Sequence, residues 1–88
     1  MPTSNTLSFT VPNDLKTKLE GITKTGYYDS LSEFLRDAIR SLLNQNKDLR
    51  IALAYELHKN NQISLGKAAE IIQEKPEEVK ALFKAREL

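Results

Sequence analysis

The sequence predicts a mainly helical protein with one N-terminal β-strand, two helices after it and about three C-terminal helices. Residues 6–11 alternate polar and apolar side chains with a period of two, the pattern of a half-buried strand. Two stretches with helical spacing of apolar residues follow up to residue 46, and further such stretches occupy residues 47–88. We therefore predict a domain over residues 1–46 and a helical C-terminal extension over residues 47–88.

The predicted strand has no partner within the chain. One face would carry Leu7, Phe9 and Val11, and the other would carry Thr6, Ser8 and Thr10. No other stretch alternates in this way, and a lone strand leaves its backbone N–H and C=O groups unpaired. Antiparallel pairing with the same strand of a second chain would satisfy these groups. The sequence thus predicts a homodimer with a two-stranded ribbon, and the major groove of DNA admits such a ribbon.

Two amphipathic helices are predicted after the strand. Pro12 and Asn13 favour a helix start, with Asn13 as the cap, and Gly26 suits the left-handed position after the last turn. Ser30 and Glu33 form a capping box for the second helix. The apolar stripe of this helix is wide enough to face both the first helix and a second chain. The predicted dimer core consists of Leu7, Phe9, Val11, Phe34, Leu35, Ala38, Ile39 and Leu42.

Residues 47–88 read as three helices, with Ser64 capping the second and Pro76 beginning the third. Residues 65–82 also fit a helix-turn-helix template, with Ala69 at the position where the two helices cross. Two features oppose a DNA-reading role for this template: Gln73 replaces the usual turn glycine, and acidic side chains begin the last helix. We therefore expect a structural tail that contacts protein and not bases.

Residues 6–46 resemble the ribbon-helix-helix family of prokaryotic DNA-binding proteins (the Arc, MetJ and CopG type). The resemblance lies in the motif of residues 7–12, the Gly26-Tyr27 turn and the run of residues 30–40, Ser-Leu-Ser-Glu-Phe-Leu-Arg-Asp-Ala-Ile-Arg. It implies an obligate dimer that reads bases through Thr6, Ser8 and Thr10 and holds a phosphate near Ser30 and Leu31. The family often places Arg, Lys, Asn or Gln among its readers, whereas these are hydroxyls, so weak discrimination is expected. In the alternative interpretation the hydroxyl face is merely solvated, and the dimer reads no sequence.

A shorter resemblance concerns Ile63 to Glu70, which look like a segment of a small helical family often encoded beside toxins. It supports an alternative function, an antitoxin-like module whose tail binds a toxin or another partner protein. The principal prediction is a homodimeric regulator of transcription that binds double-stranded DNA.

The composition of the chain limits its DNA affinity, its expected location and the classes of chemistry it could carry out. Thirteen basic and twelve acidic residues give a net charge of +1, so we expect weak phosphate neutralisation by one dimer. There is no cysteine, no apolar run that could span a membrane and no signal-peptide pattern, and we expect a cytoplasmic protein. His58 is the single histidine and is expected on the solvated surface. No pattern of catalytic, metal-binding or nucleotide-binding residues stands out, so neither an enzyme nor a cofactor is predicted.

Overall fold

The computed structural model describes residues 5–87, which form five α-helices and no β-strand. The helices are α1 (Asn13–Lys24), α2 (Leu31–Gln45), α3 (Lys47–Lys59), α4 (Leu65–Ile72) and α5 (Pro76–Arg86). Residues 5–12 precede α1 without regular secondary structure. The chain is thus all-helical over the part that the structure describes.

The predicted N-terminal β-strand is wrong, and with it the ribbon-helix-helix fold class that the resemblance implied. A strand is defined by backbone hydrogen bonds to a neighbouring strand, and no segment of the described chain offers such bonds to residues 6–11. Residues 6–11 do alternate polar and apolar side chains in the sequence. This alternation shows only that the side chains could occupy two faces, and it does not provide the partner that a strand requires.

The helix ends agree with most of the predicted signals. The Ser30 hydroxyl accepts the N–H of Glu33 at 3.1 Å, and the Ser64 hydroxyl accepts that of Lys67 at 3.1 Å. Gly26 has the left-handed φ of 84° that follows the end of α1. The predicted cap at Asn13 is wrong, because Asn13 is already helical and the residue before the helix is a proline without a side chain that can cap.

Contacts within the chain divide it into two units, Met1–Ala38 and Ile39–Leu88. The division falls inside α2, and the boundary between residues 46 and 47 stays a prediction. The second unit contains a hydrophobic core to which α3, α4 and α5 all contribute. Its buried apolar residues are Ile51, Ala54, Ala68, Ala69, Ile72, Val79 and Phe83. Three of the seven are alanines, whose small side chains let the helices approach closely.

Arg50 is the one buried charged side chain among the described residues, and it joins two helix ends within the second unit. Its Nε donates to the carbonyl of Ile72 at 3.2 Å, in the last turn of α4. Its Nη1 donates to the carbonyls of Leu43 and Asn44, in the last turn of α2, at 2.8 and 3.0 Å. Carbonyls at a helix C-terminus have no partner within the helix and carry the negative end of its dipole. The guanidinium group therefore satisfies both ends with hydrogen bonds and with charge.

The turn between α4 and α5 is also tied to the start of α3. Lys47 Nζ donates to Glu74 Oε1 at 2.7 Å, and this hydrogen bond and the lysine charge lower the pKa of Glu74. Gln73 has a left-handed φ of 68°, and its side-chain amide donates to Asn44 Oδ1 at 3.3 Å. Both contacts are exposed, so they stabilise the unit much less than the buried contacts of Arg50 do.

We predict that Arg50→Ala lowers the free energy of unfolding by roughly 3 kcal/mol, because one buried and two partly buried carbonyls lose a charged donor. Urea unfolding followed by circular dichroism measures this loss. Arg36→Ala, which removes an exposed arginine from α2, is the matched control and should cost less than about 0.5 kcal/mol. Equal effects of the two substitutions would show that Arg50 does not stabilise the helix ends.

Candidate functional site

The N-terminal half of the chain leaves its apolar side chains in contact with solvent. Between residues 5 and 49 no residue is buried. In the first unit, Leu7 is 88% exposed and Phe9 is 63% exposed. Further along α2, Ile39 and Leu42 are 58% and 61% exposed. Exposed large apolar side chains often mark interaction sites, so those of the N-terminal half are candidate contact residues within each unit.

Residues 7–11 and α1 enclose an open, mainly apolar groove within the first unit, with a volume of about 500 Å³. It is lined by Leu7, Ser8, Phe9, Val11, Lys16, Leu19, Glu20, Thr23 and Leu31. Ser8 lines the groove together with Leu7 and Phe9, so the predicted separation of polar and apolar faces is incomplete. All three predicted base readers, Thr6, Ser8 and Thr10, are exposed, and their contact with bases stays a prediction.

The eight predicted dimer-core residues find no core in the single chain. Four of them, Leu7, Phe9, Ile39 and Leu42, are exposed, and the other four, Val11, Phe34, Leu35 and Ala38, are half-buried. Burying a large aliphatic or aromatic side chain contributes about 1.5–3 kcal/mol. The single chain gains only a part of this free energy. A partner that covered these side chains would supply the remainder, and dimerisation stays a prediction.

The start of α2, where a phosphate contact is predicted, carries two negative charges. The Ser30 hydroxyl already accepts a backbone hydrogen bond as the helix cap, and Leu31 is the first helical residue. The carboxylate of Glu33 accepts the backbone N–H of Asp29 at 3.3 Å, and Asp29 itself stands two residues before the first helical residue. The helix dipole attracts a phosphate here, whereas the two carboxylates repel it. The phosphate contact at Ser30 and Leu31 stays a prediction. We expect the electrostatic attraction of a phosphate to this site to be weak.

Tyr28 connects the turn before α2 to the body of that helix. Its hydroxyl donates to Asp37 Oδ2 at 2.6 Å, and its ring meets the Phe34 ring edge-on at 5.2 Å between centroids. The hydrogen bond to Asp37 raises the pKa of Tyr28, because ionisation would remove the donor and place two negative charges together. Neither Tyr28 nor Asp37 is among the site residues predicted from the sequence. The signal was present, since Phe34 and Asp37 are three positions apart and lie on the same side of α2.

In the second unit, the buried residues of α4 and α5 match the helix-turn-helix template. Ala69 is 7% exposed and Val79 is fully buried. Gln73 adopts the left-handed conformation that a glycine usually occupies in this turn. The first turn of α5 nevertheless exposes Glu77 and Glu78, which would repel DNA phosphates. The template therefore describes the packing of these helices and gives no support to base reading by α5.

His58 lies in a less exposed place than the sequence predicted. It is half-buried, its ring packs against Phe83 at 5.5 Å between centroids, and Nδ1 lies 3.2 Å from the carbonyl of Ile63. A carbonyl can only accept, so Nδ1 carries the proton in this contact. The prediction of a solvated surface histidine is therefore wrong, and His58 helps to pack the second unit.

Two further properties concern residues 5–87 as a whole. No group of three or more His, Cys, Asp or Glu side chains within this range is placed to hold a metal ion. Within the same range, no helix has both the length and the apolar character needed to cross a membrane. The interaction surface of the N-terminal half thus remains the main candidate site among the described residues.

Comparison with known proteins shows a distant similarity to a protein of an archaeon. The chain is similar to a UPF0175 protein of Halobacterium salinarum, with 33% identity over 57 residues. The aligned region covers 65% of this chain and 58% of the relative, so the chain spans less than two thirds of that protein's length. Because 57 residues exceed either residues 1–46 or residues 47–88, the similarity includes residues of both parts. No family model and no solved structure matches the chain.

We predict that Asp37→Asn moves the pKa of Tyr28 back toward the ordinary tyrosine value, because the charged acceptor is lost. Ultraviolet titration of tyrosine ionisation in wild type and variant measures this shift, and Tyr28→Phe identifies the contribution of Tyr28. The hydrogen bond stabilises the folded state fully at pH values below the ordinary tyrosine pKa. This contribution is lost as the pH rises through the raised pKa that Tyr28 has in the folded state. An unchanged titration curve in Asp37→Asn would rule out the hydrogen bond in solution.

Proposed function

We propose that the protein is a self-associating regulator that binds double-stranded DNA, in which a second copy covers the apolar surface of the N-terminal half. The observation that carries the proposal is the absence of any buried residue between residues 5 and 49. The helices of that region have regular apolar stripes, which a protein normally buries. A partner is therefore required. A second copy has the same apolar surface, so two copies can cover each other symmetrically.

Two observations favour a second copy over an unrelated partner. The apolar side chains come from the segment before α1, from α1 and from α2, so cover is needed along most of the N-terminal half. Strongly apolar interfaces are typical of obligate homodimers, which resemble a domain core divided between two chains. Every copy of the protein carries this apolar surface, so a second copy is always available to cover it and no other protein is needed.

The proposal that DNA is the ligand rests on two observations. Residues 6–46 resemble prokaryotic DNA-binding proteins, and the hydroxyls of Thr6, Ser8 and Thr10 are exposed. Hydroxyls donate to and accept from several base edges, and threonine methyl groups can contact thymine. Residues 5–38 include Lys16, Lys18, Lys24 and Arg36 against five acidic residues, so phosphate attraction adds little. We therefore expect DNA binding of modest affinity that depends on several chains being held together.

Self-association is tested by Ile39→Asp, which places a charge on the apolar stripe of α2. Ile39 is 58% exposed in the single chain, so the substitution removes little packing within one chain. We expect wild type to sediment as a dimer at micromolar concentration, at twice the chain mass of 10.0 kDa, and Ile39→Asp to sediment as a monomer. The physical reason is the cost of burying an unpaired carboxylate in an apolar interface.

Ser41→Asp is the matched control, because Ser41 is an exposed polar residue of the same helix. It adds the same charge two positions away and should leave the dimer intact. A wild-type chain that sediments as a monomer at these concentrations would contradict the proposal. So would a dimer that tolerates Ile39→Asp, since α2 would then lie outside the interface.

DNA reading is tested by replacing Thr6, Ser8 and Thr10 together with alanine. Duplexes selected from a random library with wild type supply the preferred site. The triple variant should keep its dimer and its weak, salt-sensitive binding, and it should lose its preference for the selected site. Ser41→Ala, with one hydroxyl removed elsewhere, should retain the preference. Failure of wild type to enrich any duplex would refute the DNA-binding part of the proposal, and retained preference in the triple variant would refute the assignment of the readers.

A second candidate function is a protein-interaction module of the antitoxin type, whose tail binds a toxin or another partner protein. It is supported by the resemblance of residues 63–70 to a family often encoded beside toxins. It is also supported by an open groove on the second unit, which combines aromatic side chains with lysines. The two candidate functions use different surfaces, so separate variants can test them.

A further inference from the structure

The second unit carries a groove of about 430 Å³ between α3, the start of α4 and α5, here named the α3–α5 groove. Its lining includes the aromatic side chains of Tyr55, His58 and Phe83. The Tyr55 and Phe83 rings meet edge-on at 5.4 Å between centroids. Phe83 belongs to the buried core, with 6% exposure, and Tyr55 packs against that core. The groove is therefore a preformed feature of the fold.

The rim of the α3–α5 groove is positively charged. Lys59, Lys80 and Lys84 line it, and the guanidinium group of Arg86 lies 5.5 Å from the centre of the Tyr55 ring. The acidic side chains nearby are Glu87, which also lines the groove, and Glu56, which pairs with Lys59 at 3.4 Å. Four cationic against two acidic side chains leave a local charge of +2. The chain as a whole carries only +1, so positive charge is concentrated here.

We propose that the α3–α5 groove binds a short acidic segment of a different protein, with an apolar side chain of that segment against the aromatic rings and its carboxylates on Lys59, Lys80 and Lys84. This inference rests on the second candidate function, partner binding by the tail, and specifies the surface and the chemistry of the partner. Charge complementarity between a basic rim and an acidic partner directs association and selects the partner. An aromatic patch at the centre of such a rim is the usual place of the strongest contacts.

The geometry favours a protein segment over nucleic acid. Single-stranded nucleic acid binds by stacking bases on exposed aromatic faces. In this groove, cationic groups lie over the Tyr55 ring, with Lys59 Nζ at 5.7 Å from its centre, and the Phe83 ring is buried. The cations therefore compete with a base for the Tyr55 ring, whereas an aliphatic side chain needs no stacking face and can contact the exposed parts of Tyr55, His58 and Leu65. Duplex DNA presents phosphates and no apolar group that would fill the aromatic floor, whereas a peptide presents both carboxylates and apolar side chains.

The test uses the full-length protein and random-sequence peptides displayed on phage. Peptides selected by wild type should contain more Asp and Glu than the starting library, together with a large apolar residue. Their affinity, measured by fluorescence polarisation, should fall at least about tenfold in Lys80→Glu/Lys84→Glu. Both lysines are exposed, so the reversal should leave the fold intact, which circular dichroism checks.

Lys24→Glu/Lys67→Glu is the matched control, because it changes the net charge by the same amount at exposed lysines outside the groove. It should keep the affinity within about a factor of two. The inference is overturned if the selected peptides show no excess of carboxylates, or if both double variants lose affinity equally. It is also overturned if only the groove variant loses binding to duplex DNA, which would make the groove a nucleic-acid surface.

The outcome is independent of the DNA-regulator proposal. If wild type enriches no duplex but binds acidic peptides through the groove, DNA binding fails and the present inference holds. If the peptides instead match the acidic face of α2, where Glu33 and Asp37 are four positions apart, a second copy is the occupant and the choice of a different protein is wrong.

Discussion

Buried side chains are unevenly distributed along the chain, and this distribution governs the other features of the structure. Every buried residue among positions 5–87 lies between Arg50 and Phe83, whereas α1 and α2 have apolar stripes and no core. A chain of 88 residues can bury only a modest fraction of its surface by itself. Here that capacity is used in the second unit, and the apolar stripes of α1 and α2 are left without a buried core among the described residues.

The second unit shows what a self-contained part of this chain needs. Small alanines on α3 and α4 allow close helix packing, and Arg50 satisfies the carbonyl ends of α2 and α4 from inside the unit. Helix α5 contributes Val79 and Phe83 to the core, and it carries Lys80 and Lys84 at exposed positions. The same packing that stabilises the unit thus fixes the aromatic groove and its basic rim. The N-terminal half lacks an equivalent of Arg50 and a comparable core among its described residues.

Much of the helical structure could be predicted from the sequence, because capping residues act locally. Ser30, Ser64 and Pro76 begin helices as expected, and Gly26 ends one. The strand could not be decided in this way, since strand formation depends on a partner and residues 6–11 have none in the chain. Arg50 was also missed, because its acceptors lie 6, 7 and 22 positions away and no short motif marks them. The groove was missed for the same reason, as it combines α3 with α5.

We propose that the N-terminal half is stabilised by association, whereas the second unit is stable by itself. Amide hydrogen exchange, followed residue by residue at two protein concentrations, distinguishes these two sources of stability. We predict that amides of α3 and α4 are equally protected at both concentrations, and that amides of α1 become strongly protected only at the higher one. Equal protection of α1 at both concentrations, in a protein whose sedimentation shows a monomer throughout, would contradict the claim.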